Sequence, residues 1–275
     1  MNHFNSSAVA SCSCDPEKFV VSGLHHSFQG DGDSSVTVIG DINFCVRPFE
    51  FVAVVGPSGC GKSTLLNIMS GLLRPQAGSV FLDGQQLTGI TPRIGYISQS
   101  DSLLPWRTTL ANVELGMELR GVPKAERRDK AMDLIRQAGL TGFENVYPYQ
   151  LSGGMRKRVD IIRVLAMEPE IIFMDEPFAS LDIFTREMLQ SYILNLWQTT
   201  RRTVIFITHD LTEAIMLADR VLILTRRPAR VKAEHLVTLP RPRTPAELRF
   251  DPAFIHLHKQ IWNDLQDEVQ LRENL

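Results

Sequence analysis

The nine residues Gly56-Pro57-Ser58-Gly59-Cys60-Gly61-Lys62-Ser63-Thr64 constrain this chain more than any other stretch. They follow the apolar run Phe51-Val52-Ala53-Val54-Val55 and precede Leu65-Leu66-Asn67-Ile68-Met69. That order predicts a buried strand, a glycine loop and a helix. Backbone N–H groups of such a loop and of the helix N-terminus converge on an anion. The spacing is that of a triphosphate cradle, in which Lys62 reaches the β- and γ-phosphates and Ser63 a magnesium ion. Glycines let the backbone approach the phosphates with no Cβ between them. The plain alternative is a tight turn at a strand–helix junction. The strand before and the helix after argue against it.

Composition leaves room for such a site and narrows what surrounds it. The chain has 275 residues, 44 % of them hydrophobic, which suffices for one large or two small domains. A formal net charge of −2 gives no electrostatic case for nucleic acid as a partner. Cys12, Cys14, Cys45 and Cys60 show no zinc spacing and are expected to be reduced thiols without a disulfide framework. No stretch approaches the ~18 apolar residues of a membrane span. The first 17 residues lack the apolar core of a signal peptide and are expected to be a mobile extension. Any membrane role then comes through a partner.

The hydrophobic period changes along the chain. Residues 18–55 alternate and read as antiparallel strands joined by hairpins, with turn residues at Gln29–Ser35. Further strands are expected at Ser79–Leu82 and at Arg93–Ser98, the latter ending at Gln99. Between Thr108 and Tyr149 the pattern turns helical, with Ala131, Leu134, Ile135 and Ala138 on one face. Pro123 stands where a helix starts, and Gly121 and Gly139 where helices stop. Strands resume at Glu170–Met174, Thr203–Thr208 and Arg220–Leu224, with a helix at Ile183–Thr199 between the first two. This predicts an α/β fold with a parallel-sheet core, an antiparallel β subdomain and a helical insertion at about 100–160. The expected division is an extension at 1–17, a main domain at 18–245, and a C-terminal helix and tail at 246–275. Phe254, Leu257, Ile261 and Leu265 form the stripe of that last helix, which either docks on its own domain or meets a partner.

Three more signals bear on chemistry. Leu151-Ser152-Gly153-Gly154-Met155 precedes a helix that Ser152 can cap, a second anion-binding helix end. An ordinary N-cap is the plain alternative. The apolar run Ile171–Met174 delivers Asp175 and Glu176 at its end. Asp175 can orient magnesium through water, and Glu176 can polarise an attacking water. His209 ends the run Val204–Thr208, where it can bond a γ-phosphate or hold the catalytic water.

Taken in order, GPSGCGKST, Gln99, LSGGM, IIFMDEP, Ser180-Leu181-Asp182 and Thr208-His209-Asp210 resemble the ATP-binding subunit of an ABC transporter, over residues 18–265. The resemblance implies a P-loop NTPase core of the ABC ATPase type. It implies that Gly56–Thr64 bind ATP and that Gln99 links the γ-phosphate and Mg2+ to the helical subdomain. Leu151–Met155 become the signature, with Ser152, Gly153 and Gly154 at the nucleotide, Asp175 a Mg2+ residue beside Ser63 and Gln99, Glu176 the catalytic glutamate, Ser180–Asp182 the loop after it with Asp182 at the nucleotide, and His209 the switch histidine. Phe28 matches the aromatic that stacks on adenine. The implied assembly is a head-to-tail homodimer on two transmembrane permease subunits, served by a periplasmic or extracellular solute-binding protein, with no nucleic acid. Its place would be the cytoplasmic face of the bacterial inner membrane.

Leu103-Leu104-Pro105-Trp106, Arg226-Arg227-Pro228, Pro240-Arg241-Pro242-Arg243 and Ile261-Trp262 resemble the nitrate, sulfonate and taurine importer group. A chromosome or DNA-repair ATPase head would need long heptad segments, and a translation-associated member would carry two heads. A small-molecule kinase would leave LSGGM unexplained.

Two departures from the family carry expectations of their own. Phe49 stands where the family usually has glycine, so a negative φ and a type I-like turn are expected there. Lys157, Asp160, Ile162 and Val164 replace Gln, Ala, Ala and Ala. Asp160 is expected to form a surface pair with Arg156 or Arg163 worth a few tenths of a kcal/mol.

Overall fold

The computed structural model describes residues 16–30, 34–179, 181–243, 248 and 250–270. The greater part of the expected extension, the middle of the first hairpin turn, Ser180 and the end of the tail lie outside them. Cys12 and Cys14 do too.

Among the described residues ten strands form two sheets. The first is antiparallel, in the order β2-β1-β4-β5, from β1 (Phe19–Gln29), β2 (Ser35–Val46), β4 (Ala77–Leu82) and β5 (Gln85–Gln86). The second runs β10-β9-β3-β8-β7-β6, from β3 (Phe51–Val55), β6 (Ile94–Ile97), β7 (Ile171–Asp175), β8 (Thr203–Ile207), β9 (Arg220–Leu224) and β10 (Val231–Leu236). Only β10 is antiparallel to its neighbour there. The expected antiparallel reading of residues 18–55 holds for β1 and β2 and fails for β3. Every residue of β3 is buried, and it lies parallel between β9 and β8. A strand apolar on both faces needs cover on both, which a central parallel strand has and an outer antiparallel one lacks.

The helices of seven or more described residues are α1 (Lys62–Met69), α2 (Thr109–Leu119), α3 (Lys124–Gln137), α4 (Gly153–Leu165), α5 (Ile183–Thr200), α6 (Leu211–Leu217) and α7 (Pro252–Gln270). One core lies between the two sheets and includes α1, with Phe19 and Phe173 edge to face at 5.5 Å. The second lies across the parallel sheet against α5, α6 and α7. A third belongs to α2, α3 and α4, where Ala131, Ile135 and Ala138 are buried and Leu134 half-buried. Gly121 and Gly139 adopt φ of 75° and 68° past the ends of α2 and α3. Phe254, Ile261 and Leu265 of α7 are buried in the second core, so the last helix docks on its own chain.

Two expectations are corrected. Phe49 has φ 64°, not a negative value. Glu50 N–H donates to Arg47 O at 3.3 Å across Pro48-Phe49, a turn with proline second and a left-handed third residue, as in type II. One long-range and one local bond hold it: Phe49 N–H donates to Thr203 Oγ1 (2.9 Å), and Glu50 Oε2 accepts from Arg47 N–H (2.8 Å). Buried Arg220 clamps the same carboxylate at 2.9 and 3.1 Å. The Phe49 side chain is 57 % exposed and holds nothing in place. Phe49→Gly is therefore expected to stabilise the fold by about 0.5–1 kcal/mol, the left-handed cost less glycine's freedom when unfolded, read as a higher urea midpoint at unchanged slope. The second correction is Cys45, which is disulfide-bonded, whereas Cys60 is free and buried.

Candidate active site

The loops after β3, β8 and β7 are neighbours because those strands are neighbours, in that order. The carboxyl ends of parallel strands are where open α/β sheets bind ligands. Three segments far apart in sequence thus meet: the glycine loop, His209 and Asp175-Glu176. Gln99 follows β6, the next strand out, and is exposed.

The glycine loop turns at Pro57, whose carbonyl accepts from Cys60 N–H at 3.2 Å. Gly59 and Gly61 take φ of 75° and 119°, which side chains resist. A Cβ on Gly61 would come within 2.7 Å of Val38 Cγ1, so the antiparallel sheet buttresses the loop. Gly56 is buried, and a Cβ there would meet Cys60 Sγ and Leu224 at 3.1 Å. Cys60 sits beneath the loop, where burial pushes its thiol up against the opposing charge of Lys62. Lys62 is buried and donates to Gly56 O (2.9 Å) and Pro57 O (3.1 Å). Ser58, Gly59 and Ser63 face outward, and Thr64 is half-buried.

Ser63 Oγ donates to Asp175 Oδ1 at 3.3 Å. Burial pushes the Asp175 carboxyl up, and the Ser63 hydroxyl opposes the shift. Tyr96 lies alongside and donates to Asn67 Oδ1 at 3.2 Å; its phenol is pushed up by burial and then by Asp175. A hydroxyl and a carboxylate meeting beside a phosphate cradle fit Mg2+, which takes few protein oxygens and completes its shell from water and substrate phosphates. Among the described residues no cluster of three His, Cys, Asp or Glu side chains forms a separate metal site.

Glu176 has φ 41°, and its N–H donates to Ile207 O at 3.0 Å. Its Oε2 stands 3.0 Å from His209 Nδ1. A left-handed glutamate costs on the order of 1–3 kcal/mol, tolerated here because β8 over-determines it. Behind the pair, Thr208 Oγ1 donates to Glu213 Oε2 at 2.7 Å and Gln190 Nε2 donates to Oε1 at 3.3 Å. Burial pushes the Glu213 carboxyl up to about 7. The folded chain thus keeps a proton that the unfolded chain loses near about pH 4, and stability falls as pH rises from there through about 7. Glu213→Gln is expected to exceed the parent by on the order of 2 kcal/mol above pH 7 and to match it near about pH 4, as read from urea midpoints at both.

Ser152 caps α4, its Oγ accepting from Met155 N–H at 3.3 Å. Ser152 and Gly153 are exposed. Gly154 is packed on α5, where a Cβ would lie 2.2 Å from Thr185 Cγ2. Among the described residues no hydrogen bond or ion pair joins Ser152, Gly153 or Gly154 to the glycine loop of the same chain. Asp182 caps α5, with Oδ1 accepting from Thr185 N–H at 3.0 Å; hydrogen bonding from the Thr185 side chain and then from its backbone holds the carboxyl low. Phe28 is half exposed near the end of β1, opposite Val36 and two residues along β2 from the Val38 that meets Gly61. It packs edge to face on His26 at 4.7 Å.

The expected surface pair at Asp160 is a buried cluster instead. Asp160 is 1 % exposed and Lys157 3 %. Arg163 NH2 donates to Asp160 Oδ1 at 2.9 Å, whereas Arg156 turns to Asp101 at 3.1 Å. Tyr96, Glu213 and Lys157 border the site as well, and no sequence motif marks them as its neighbours. Each meets the site only through strand or helix adjacency, which a single sequence does not display.

The family described as ABC transporter matches residues 39–179. An uncharacterised ABC transporter ATP-binding protein of Methanocaldococcus jannaschii is 47 % identical over 252 residues, 92 % of each chain. The taurine import ATP-binding protein TauB of Yersinia pestis is 42 % identical over 211 residues, 77 % of this chain and 81 % of that one. A dimeric ATP-binding cassette in a post-hydrolysis state, bound to ADP and Pi, superposes with a TM-score of 0.71 at 31 % identity, covering 81 % of this chain and 100 % of that one.

Proposed function

The chain belongs to the ABC transporter family as an ATP-binding subunit that hydrolyses ATP, and we propose that it powers an importer by clasping ATP between two copies of itself. One observation carries this reading. Lys62, Asp175, Glu176 and His209 gather at the carboxyl ends of β3, β8 and β7, while among the described residues the Ser152–Gly154 helix end shares no hydrogen bond or ion pair with them. A triphosphate on the glycine loop then has one side open to water. The N–H groups and capping hydroxyl of a second copy's α4 suit that open side. The dimeric neighbour supports a two-copy arrangement.

In this reading Gly56–Thr64 hold the phosphates, Lys62 turns from the loop carbonyls to the β- and γ-oxygens, and Phe28 stacks on adenine. Glu176 polarises the attacking water, His209 fixes the Glu176 carboxylate through Nδ1, and Gln99 reports the γ-phosphate to the helical unit. Asp182 lies near the partner's nucleotide. Ser63, Asp175 and Gln99 would hold Mg2+, which neutralises phosphate charge when bound. ATP favours the closed dimer, and hydrolysis releases it. Residues 18–245 form the head in this reading, with the helical unit at about 100–160 as its moving part and 246–275 as an appended helix and tail.

The taurine-import relatives support uptake of a sulfonate-type solute; the proposed route is two permease subunits served by a solute-binding protein. No described helix is long and apolar enough to cross a membrane. As an ATP-binding subunit paired with permeases, the chain is proposed to sit peripherally, on the cytoplasmic face of a bacterial inner membrane. The test is the full chain with its gene-neighbour permease in proteoliposomes. Taurine-loaded binding protein should raise ATP turnover several-fold. Turnover indifferent to every loaded binding protein would remove the importer reading.

A further inference from the structure

The segment just after β6 is tied to α4 by side chains that the proposed reaction does not use. Lys157 Nζ donates to the backbone carbonyls of Ser98 and, at 3.1 Å, Gln99. Asp160, one turn on, has its Oδ2 3.8 Å from Lys157 Nζ and no hydrogen-bond partner for that oxygen. Its Oδ1 accepts from Ser102 Oγ at 3.0 Å, from Ser102 N–H at 3.4 Å and from Arg163 NH2 at 2.9 Å. Arg163 NH1 donates to Ser102 O at 2.7 Å. A buried ammonium costs several kcal/mol unless it is paired and hydrogen-bonded, so Lys157 is kept by Asp160 and the two carbonyls together. The carbonyls belong to Gln99 and its neighbour; α4 carries Ser152–Gly154 at its tip.

We propose that Lys157 is a positioning residue for Gln99: neutralised by Asp160, it fixes the Gln99 loop to the helix bearing Ser152–Gly154, so that the two move as one body. The inference rests on the reading that Gln99 acts in hydrolysis. It also accounts for two departures from the family at once, since Lys at 157 without Asp at 160 would be an unpaired buried charge.

The test separates charge from hydrogen bonding. Lys157→Met/Asp160→Ala removes both charges and the donor; Lys157→Gln/Asp160→Ala removes both charges and restores a donor. Full-length chains are compared for ATP turnover, KM and Tm, with Gln99→Ala as the reference. The Met variant should lose about tenfold or more in kcat with ATP KM within about twofold of the parent, as misplacement of a catalytic group does. The Gln variant, at similar Tm, should recover most of that loss. Amide hydrogen exchange over residues 98–102 gives a second readout, expected about tenfold faster in the Met variant than in the Gln variant. If the Met variant does not fold, Lys157→Leu/Asp160→Ala takes its place. Parent-like turnover in the Met variant beside a slow Gln99→Ala overturns the inference alone. Equal losses in both double variants, or equal exchange at 98–102, overturn it too, because the donor would then be irrelevant. Parent-like turnover in Gln99→Ala overturns the reading of Gln99 and this inference with it.

Discussion

Glu176→Gln is expected to bind ATP with parent-like affinity, to hydrolyse it at least ~100-fold more slowly, and to accumulate as a nucleotide-bound dimer. The substitution is nearly isosteric, so the strained backbone at φ 41° and the 3.0 Å approach to His209 need not change. What changes is proton chemistry. A carboxylate accepts a proton or a strong hydrogen bond from water as the γ-phosphate is attacked; an amide oxygen does so poorly. General-base assistance is worth about 10²–10⁴-fold, which sets the expected loss. If ATP bridges two copies, an uncleaved bridge keeps them together, so slow hydrolysis and dimerisation must rise together. Single-turnover phosphate release and light scattering after size exclusion, with ATP and Mg2+ present, read the two effects. Turnover kept within a few-fold would take Glu176 out of the role of base. Slow turnover in a strict monomer would leave the base in place and remove the clasp.

The same pair shows how far a sequence alone reaches. Glu176 and His209 are 33 residues apart, and only their order among the motifs pointed to a common site. Their contact follows from β8 lying beside β7, a fact of sheet order that no local pattern encodes. The glycine loop was legible because everything it needs is local: an apolar strand, glycines at left-handed positions and a helix start. Phe49 was misread for the opposite reason. A steric rule set its expected φ, but Thr203 and Arg220, each more than 150 residues away, hold the turn in the left-handed form. Asp160 was misread in the same way. Helix spacing shows which side chains share a face, not that Ser102 and the carbonyls at 98–99 roof that face. β3 reads as a strand from composition, and its all-apolar run, which lacks alternation, marks a strand covered on both faces; the antiparallel reading of 18–55 passed over that mark.

The second large effect concerns binding itself. Lys62→Ala should weaken ATP affinity by about 10- to 100-fold, the worth of one charge-assisted hydrogen bond network to phosphate, about 1.5–3 kcal/mol. In the structure Lys62 Nζ has Gly56 O and Pro57 O as partners at 2.9 and 3.1 Å, so the ammonium already sits inside the loop's curve. Bound phosphate oxygens compete with neutral carbonyls for that charge, and charge decides the contest. Alanine removes the cation and leaves the loop's glycine conformations intact, because Gly59 and Gly61 owe their φ to their own lack of a Cβ. The fold should therefore survive, with Tm within a few degrees of the parent, while titration calorimetry with ATP and Mg2+ shows the loss. Lys62→Arg separates charge from shape. A planar fork of five donors is bulkier than an ammonium with three and does not fit the same buried slot, so affinity should stay low although the charge is restored. ATP affinity unchanged in Lys62→Ala would mean that the loop does not hold the triphosphate, and the site would have to be sought elsewhere on the sheet.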